Sequence, residues 1–405
     1  MSSRTKYFVV STSTCLTILL LIGSVLGRSA SPDDTYKHIG VFSDVVSRIK
    51  GEYVEEPDMK SVTLGALNGM LEAIDPFASY LNAEQYKDYL KNKSIKRADI
   101  GLILSRKFGF VGVVGTVQGS PAANAGFSTG DMVETIGDVA TRDMPLAYAT
   151  MLLQGEPGTP VKLSVVRVRR PEPQTMTLTR ANFPMPPVES KMLDGQVGYI
   201  NVDALAAPQV KEVAAAIQKL QKDGAQKLVV DVRNCAIGGP EDGVAAANLF
   251  LNKGRITYLM GQRVPRQNFE ADPAKAITTL PVAVLTNRGT AGAAEILAAA
   301  LGDNKRAQVV GERTYGDAAM RKAITMDDGA AIILSVAKYY SPEGNKAIQD
   351  TGVTPGAVVA EPESQVDYDD NGEPIAEPAD AQPTQQKKVE NDVVVKKALE
   401  LLAKG

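Results

Sequence analysis

The stretch Val284–Lys322, VLTNRGTAGAAEILAAALGDNKRAQVVGERTYGDAAMRK, is read together with the residues just before it. Val282–Thr286 forms an apolar run with the length of a buried strand, and Arg288–Gly289 supplies a turn. The alanine-rich segment Ala291–Leu301 then reads as a helix, Ala307–Val310 as a second strand, and Gly311–Gly316 as a polar, glycine-punctuated loop. A strand passing into a helix through a tight turn exposes the first N–H groups of that helix, which suit an oxyanion or an anionic ligand. Such a turn is the usual seat of a nucleophile, and none is there.

The same residues resemble the active-site core of the carboxyl-terminal processing (tail-specific) serine proteases. Their pattern is a strand, N-x-G-[ST]-A-S-A-S-E, a helix, a strand ending in V-G, and a loop T-[FY]-G-K-G-x-x-Q. Asn287, Gly289, Thr290, Ala291, Glu295, Gly311, Thr314, Tyr315 and Gly316 keep this pattern. The resemblance implies a serine nucleophile at position 292, a lysine base at 317 and a supporting glutamine at 321. This chain has Gly292, Asp317 and Arg321 there, and the twenty-five-residue separation of the first two is the family's own, which argues against a shifted register.

A serine–lysine mechanism needs a hydroxyl within reach of an amine whose pKa is lowered by burial. Gly292 offers no side chain, and Asp317 adds a negative charge that disfavours a developing oxyanion. Thr290 is the nearest substitute hydroxyl, but active relatives carry Ser or Thr there beside their serine, which marks it as structural. Lys322 lies one residue past the glutamine position and on a strand faces the other way. The expectation is therefore a non-catalytic family member. The alternative is an active serine-type endopeptidase that cleaves protein C-terminal regions with a non-standard nucleophile.

Composition narrows the chemistry further. The 405 residues allow two or three domains, and 44 basic against 47 acidic residues, a net charge of −3, give no general pull toward nucleic acid. The single histidine, His38, sits in an amphipathic N-terminal segment, which leaves no Ser-His-Asp triad and no H-E-x-x-H zinc site. Cys15 and Cys235 make no disulfide framework, and Cys235, with no histidine in its region, reads as a buried thiol rather than a nucleophile. No metal and no cofactor is expected.

Arg4 and Lys6 precede the uncharged run Tyr7–Gly27, twenty-one residues. As a helix it would span roughly 30 Å at ~1.5 Å per residue, enough for a membrane anchor. Basic residues ahead of it favour an exported body in the cell envelope, periplasmic or extracytoplasmic, and the small residues around Gly27 also permit a cleaved signal. Residues 1–30 are assigned to this segment. Residues 31–94 form a helical region: Ile39, Phe42, Val46, Ile49 and Tyr53 recur at helical steps, and Ser61–Leu81 and Ala83–Leu90 read as helices. Its string Tyr53–Tyr86 is similar to the family's N-terminal element, which implies a role in dimerisation.

Residues 95–182 alternate short strands and turns around Gly119–Asp131, GSPAANAGFSTGD, which strongly resembles a PDZ domain. A PDZ groove binds a peptide as an added strand and cages its terminal carboxylate in backbone N–H groups. The resemblance places the carboxylate loop at Asp99–Leu102 and the groove among Ile100, Gly101, Leu102, Ile103, Leu146 and Leu153, with Leu146–Leu153 as its helical wall. The bland alternative is a small sandwich that only gates its neighbour.

In residues 183–359, Val197–Val202 and Leu228–Val232 flank a helix with Val210, Val213, Ile217 and Leu220 on one face, a βαβ unit. Asp231–Gly239 resembles the family's D-x-R-x-N-x-G-G turn with one extra residue, which implies oxyanion-type roles for Gly238 and Gly239. The fold class is thus mixed α/β: an α/β protease-type core with parallel βαβ units, an inserted PDZ β-sandwich and an N-terminal helical region. Residues 360–390 are acidic and proline-rich, an expected disordered linker whose aspartates lack calcium-loop spacing. Residues 391–405 include a short helix that could dock on the body or on a second subunit. Expected partners are polypeptide C-termini or unstructured tails, a second copy or an active relative, and a membrane through the N-terminal segment.

Overall fold

The computed structural model describes residues 34–93, 97–107, 109–167, 170–344, 346–360, 389 and 391–404. The apolar run Tyr7–Gly27 and the acidic stretch from 361 to 388 lie outside them. No helix among the described residues is long and apolar enough to cross a membrane. The chain divides into two units, residues 1–65 and 66–405.

The first unit holds α1 (Asp34–Glu52) and the opening turns of α2 (Met59–Ile74), whose start Asp58 caps by accepting from Lys60 N–H at 3.0 Å. Ile39, Val41, Phe42 and Val45 on α1 are exposed.

The second unit continues α2 and passes through Asp75–Pro76–Phe77 into β1 (Ser79–Leu81) and α3 (Ala83–Lys93). The helix expected to run through Leu81 ends at Ile74. Instead Ser79–Leu81 pairs antiparallel with residues more than two hundred positions away, a partner that no local pattern announces.

The PDZ region follows: β2 (Leu102–Lys107), β3 (Phe110–Thr116), α4 (Pro121–Asn124), β4 (Met132–Ile136), β5 (Val139–Ala140), α5 (Leu146–Leu153), β6 (Pro160–Arg167) and β7 (Arg170–Thr179). Its sheet runs β2-β3-β4-β6-β7, with β5 on β4, so β2 is an edge beside α5. Ile100, Val111, Val133, Leu153, Leu163 and Val165 fill its core. The Asp131 of the Gly130–Asp131 motif is spent internally, paired at 2.7 Å with buried Arg167.

The core region comprises β8 (Glu189–Leu193), β9 (Val197–Asn201), α6 (Ala207–Lys222), β10 (Lys227–Asp231), α7 (Pro240–Asn248), β11 (Arg255–Met260), β12 (Gln267–Glu270), β13 (Val282–Thr286), α8 (Ala293–Asp303), β14 (Ala307–Gly311), β15 (Ala319–Thr325), β16 (Ala331–Tyr340), β17 (Ala357–Val358) and α9 (Val393–Lys404). One sheet is ordered β17-β14-β13-β10-β9-β8, parallel except for β8. Its strands are apolar without alternation because both faces are covered. Leu228, Val230, Val282 and Val284 turn toward α6, α7 and α8, whereas Val229, Ala283 and Leu285 turn toward α9. An antiparallel sheet β1-β16-β11-β12, with β15 on β16, lies beyond. The turns after β10, β13 and β14 all leave the same carboxyl edge of the parallel sheet, the usual place for a ligand in such folds.

Candidate active site and peptide groove

β13 ends at Thr286, and Asn287 builds the turn that follows. Its Oδ1 accepts from Asn234 N–H at 2.9 Å and Gly289 N–H at 3.0 Å, and its amide donates to Asn234 Oδ1 at 3.0 Å. This ties the turn after β13 to the turn after β10. The Thr290 hydroxyl is fully buried and committed: it accepts from Asn287 N–H at 3.0 Å and donates to Val232 O at 2.8 Å. Cys235 is also fully buried, and burial pushes its thiol well up, away from the thiolate.

Gly292 caps α8 with φ +62° and ψ −120°, a backbone that residues with a Cβ rarely adopt. A Cβ placed there would lie 3.4 Å from Gly238 O and 3.8 Å from Asp317 O. The register read from the sequence therefore brings the backbone of Asp317 beside position 292. Both neighbours are backbone carbonyl oxygens, which border the point where a side chain at 292 would begin.

Glu295 organises the loop around this point. Fully buried, its Oε1 accepts from Gly316 N–H at 2.7 Å and from the Thr314 hydroxyl. Its Oε2 accepts from Asp317 N–H at 2.7 Å and Gly292 N–H at 3.1 Å. Burial pushes its pKa up to about 7, against the pull of the Thr314 hydroxyl and the Asp317 and Gly316 N–H groups. The N–H of Gly292 is therefore turned to Glu295 rather than to the cleft.

The Asp317 carboxylate pairs with Arg321, each about a quarter exposed. Burial raises the Asp317 pKa and the Arg321 guanidinium beside it works the other way. Arg321 in turn lies over Phe77, 4.1 Å from the ring centroid. Lys322 is exposed on β15. Among the described residues, no amine stands at the lysine position and no group of three or more His, Cys, Asp or Glu is placed to hold a metal. At the expected oxyanion turn, Gly239 N–H donates to Asp242 at 2.9 Å, and Gly238 presents its carbonyl to position 292.

A cavity of about 580 Å³ joins Asp317 and Arg321 to the PDZ region. It is lined by Asp317 and Arg321 on one side and by Leu104, Leu146, Thr150 and Met151 on the other. Of the residues assigned to the peptide groove, Ile100 and Leu153 are 0% and 1% exposed and belong to the PDZ core, out of a ligand's reach. Ile100 lies in the loop before β2 and Leu153 at the end of α5, so which side chains are spent inside depends on how loop and helix pack rather than on any local pattern. Leu102 and Ile103 are half-buried, and Leu146, 9% exposed, lines the cavity. Gly101 has φ +82°, and a Cβ there would meet Ser120 at 2.2 Å, so the loop requires glycine.

Two features of the groove escaped the sequence reading. Asp99 Oδ1 accepts from Ile100 N–H at 2.6 Å and Gly101 N–H at 2.8 Å, occupying the N–H groups expected to cage a carboxylate. The tendency of Asp to bond the backbone just after it was the available signal. At the other end of β2, Pro76 O accepts from Arg106 N–H at 3.0 Å, and Ser79 Oγ accepts from Ala147 N–H at 3.2 Å.

Peptidase family S41 matches residues 196–359 and a PDZ domain matches residues 112–167. The carboxyl-terminal-processing protease of Synechocystis sp. is 32% identical over 85% of this chain and 81% of its own length. The carboxy-terminal processing protease of Bacillus subtilis is 31% identical over 82% of this chain and 71% of its own. Among solved structures, the photosystem II D1 C-terminal processing protease aligns with a TM-score of 0.65 and 26% identity, covering 79% of this chain and 92% of that one.

Proposed function

We propose that this chain, which belongs to the carboxyl-terminal processing protease family, holds polypeptides in its PDZ groove without cutting them. The observation that carries this reading is the neighbouring pair Gly292 and Asp317, with the Asp317 backbone carbonyl 3.8 Å from where a side chain at 292 would begin. The nucleophile's place has no side chain, the base's place holds a carboxylate locked to Arg321, and carbonyl oxygens border the space between. Covalent acyl transfer needs a nucleophile paired with a base, and the nearby hydroxyl and thiol, Thr290 and Cys235, are buried and engaged or held neutral. The continuous cavity from the PDZ helix to Asp317 supports a polypeptide ligand. The apolar run Tyr7–Gly27 supports placing this activity at the cell envelope, with that run as anchor or signal; fractionation of the producing cell tests it.

Incubation of the chain with unstructured, apolar polypeptides, offered both as chain ends and as internal segments, is expected to give binding by titration to at least one form and no new termini by mass spectrometry. Turnover abolished by Thr290→Ala would overturn the reading. The combined Gly292→Ser, Asp317→Lys and Arg321→Gln variant is expected to return slow cleavage at most, because Gly238 keeps its carbonyl toward the site.

A further inference from the structure

A PDZ groove captures a free C-terminus by seating its carboxylate on the N–H groups of the loop that opens the edge strand. In this chain those of Ile100 and Gly101 already donate to one oxygen of Asp99, at 2.6 and 2.8 Å. The carboxylate is part of the loop and half-buried, so it is present at full occupancy without any cost of association. An arriving terminal carboxylate would have to break both hydrogen bonds and then lie against a second negative charge.

The opposite end of the same edge is also closed. Arg106 N–H donates to Pro76 O, and Phe77 packs into the PDZ core beside Leu104 and Leu146. What stays open is the middle of β2, over the cavity that reaches Asp317 and Arg321. A ligand strand that pairs there cannot end in the loop and cannot run on past Arg106. It must enter and leave through the open side.

We infer that Asp99 makes this groove selective for internal polypeptide segments and turns it away from free C-termini. This rests on the reading of the groove as a polypeptide site. The ligand class is a short stretch of extended backbone with chain continuing on both sides, such as the tip of a loop, and not a chain end.

The test uses the full chain and three fluorescent peptides sharing one apolar sequence: a free acid, its C-terminal amide, and the same residues embedded in a loop. The wild type is expected to bind the amide and the loop at least about tenfold more tightly than the acid, the scale of like-charge exclusion at a partly desolvated site. Asp99→Ala, which empties the N–H groups, is expected to reverse the order of acid and amide. Asp99→Asn keeps an acceptor and removes the charge; it is expected to show little difference between acid and amide, with a circular dichroism spectrum like that of the wild type. If the wild type prefers the acid, or if Asp99→Ala leaves the acid-to-amide ratio unchanged, the inference fails and the groove remains an ordinary C-terminus receptor. If neither wild type nor Asp99→Ala binds any of the three, the polypeptide-site reading fails and takes the inference with it.

Discussion

At position 292 the backbone keeps the angles of a strained nucleophile turn, φ +62° and ψ −120°, while glycine relieves the strain that a side chain would bring. The space for a Cβ exists, with neighbours at 3.4 and 3.8 Å, so substitution meets a conformational cost and no severe clash. Gly292→Ser is expected to lower unfolding stability by about 1–3 kcal/mol, measured by urea denaturation. A second consequence at this scale concerns Glu295. Its folded pKa, raised from 4.5 to about 7 by burial, means that the native chain retains a proton that the unfolded chain gives up across that window. The stability it contributes is therefore full below pH 4.5, falls as pH rises toward 7, and is level above. Glu295→Gln is expected to flatten that slope in denaturation series across pH. It is also expected to cost about 2–5 kcal/mol at pH 8, because an amide cannot accept at both of its heavy atoms and leaves buried N–H groups unpaired. Glu295 could be aligned by motif; that its carboxylate gathers the Gly316 and Asp317 N–H groups beside that of Gly292 depends on a loop folding back across twenty-one or more residues.

Among the elements, α9 closes the face of the parallel sheet that the other helices leave bare. Asp392 caps it, accepting from Val394 N–H at 2.8 Å, and pairs with Arg233 at 2.7 Å, itself held to Asp231. Val394, Val395, Ala398 and Leu402 pack on Val197, Tyr199, Val229, Leu285 and Val310. Leu402→Ala is expected to cost about 2–4 kcal/mol by thermal or chemical unfolding, the range for emptying a buried leucine site. An unchanged midpoint would mean that the helix does not dock in solution. The helix itself was readable from VVVKKALELL, but its seat was not: amphipathicity demands an apolar partner without naming one. The segment Ser79–Leu81 shows the opposite failure. Its local residues suit a continuing helix, and only pairing with Ile332 and Ile333 on β16 makes it a strand.

For the molecule as a whole, Phe77 and Tyr315 tie the PDZ region to the core. Their rings meet edge to face at 6.0 Å, the Tyr315 hydroxyl bonds Ser105 on β2, and Arg321 covers Phe77. Phe77→Ala is expected to speed amide exchange in β2 and α5 while leaving β10 and β13 protected; uniform acceleration would show a global loss of stability instead. The sequence alone carried the βαβ core, the PDZ signature, and the presence of Gly292, Asp317 and Arg321 where a serine, a lysine and a glutamine are expected. Those are matters of residue identity at fixed spacing, and spacing survives in one dimension. Tertiary structure decided that Asp99 fills the carboxylate loop, that Pro76 closes the far end of β2, that Gly238 turns a carbonyl toward position 292, and that Arg321 is held between Asp317 and Phe77. Each of these is a hydrogen-bond or packing choice made after the chain has folded, when groups far apart in sequence compete for the same donors and the same space.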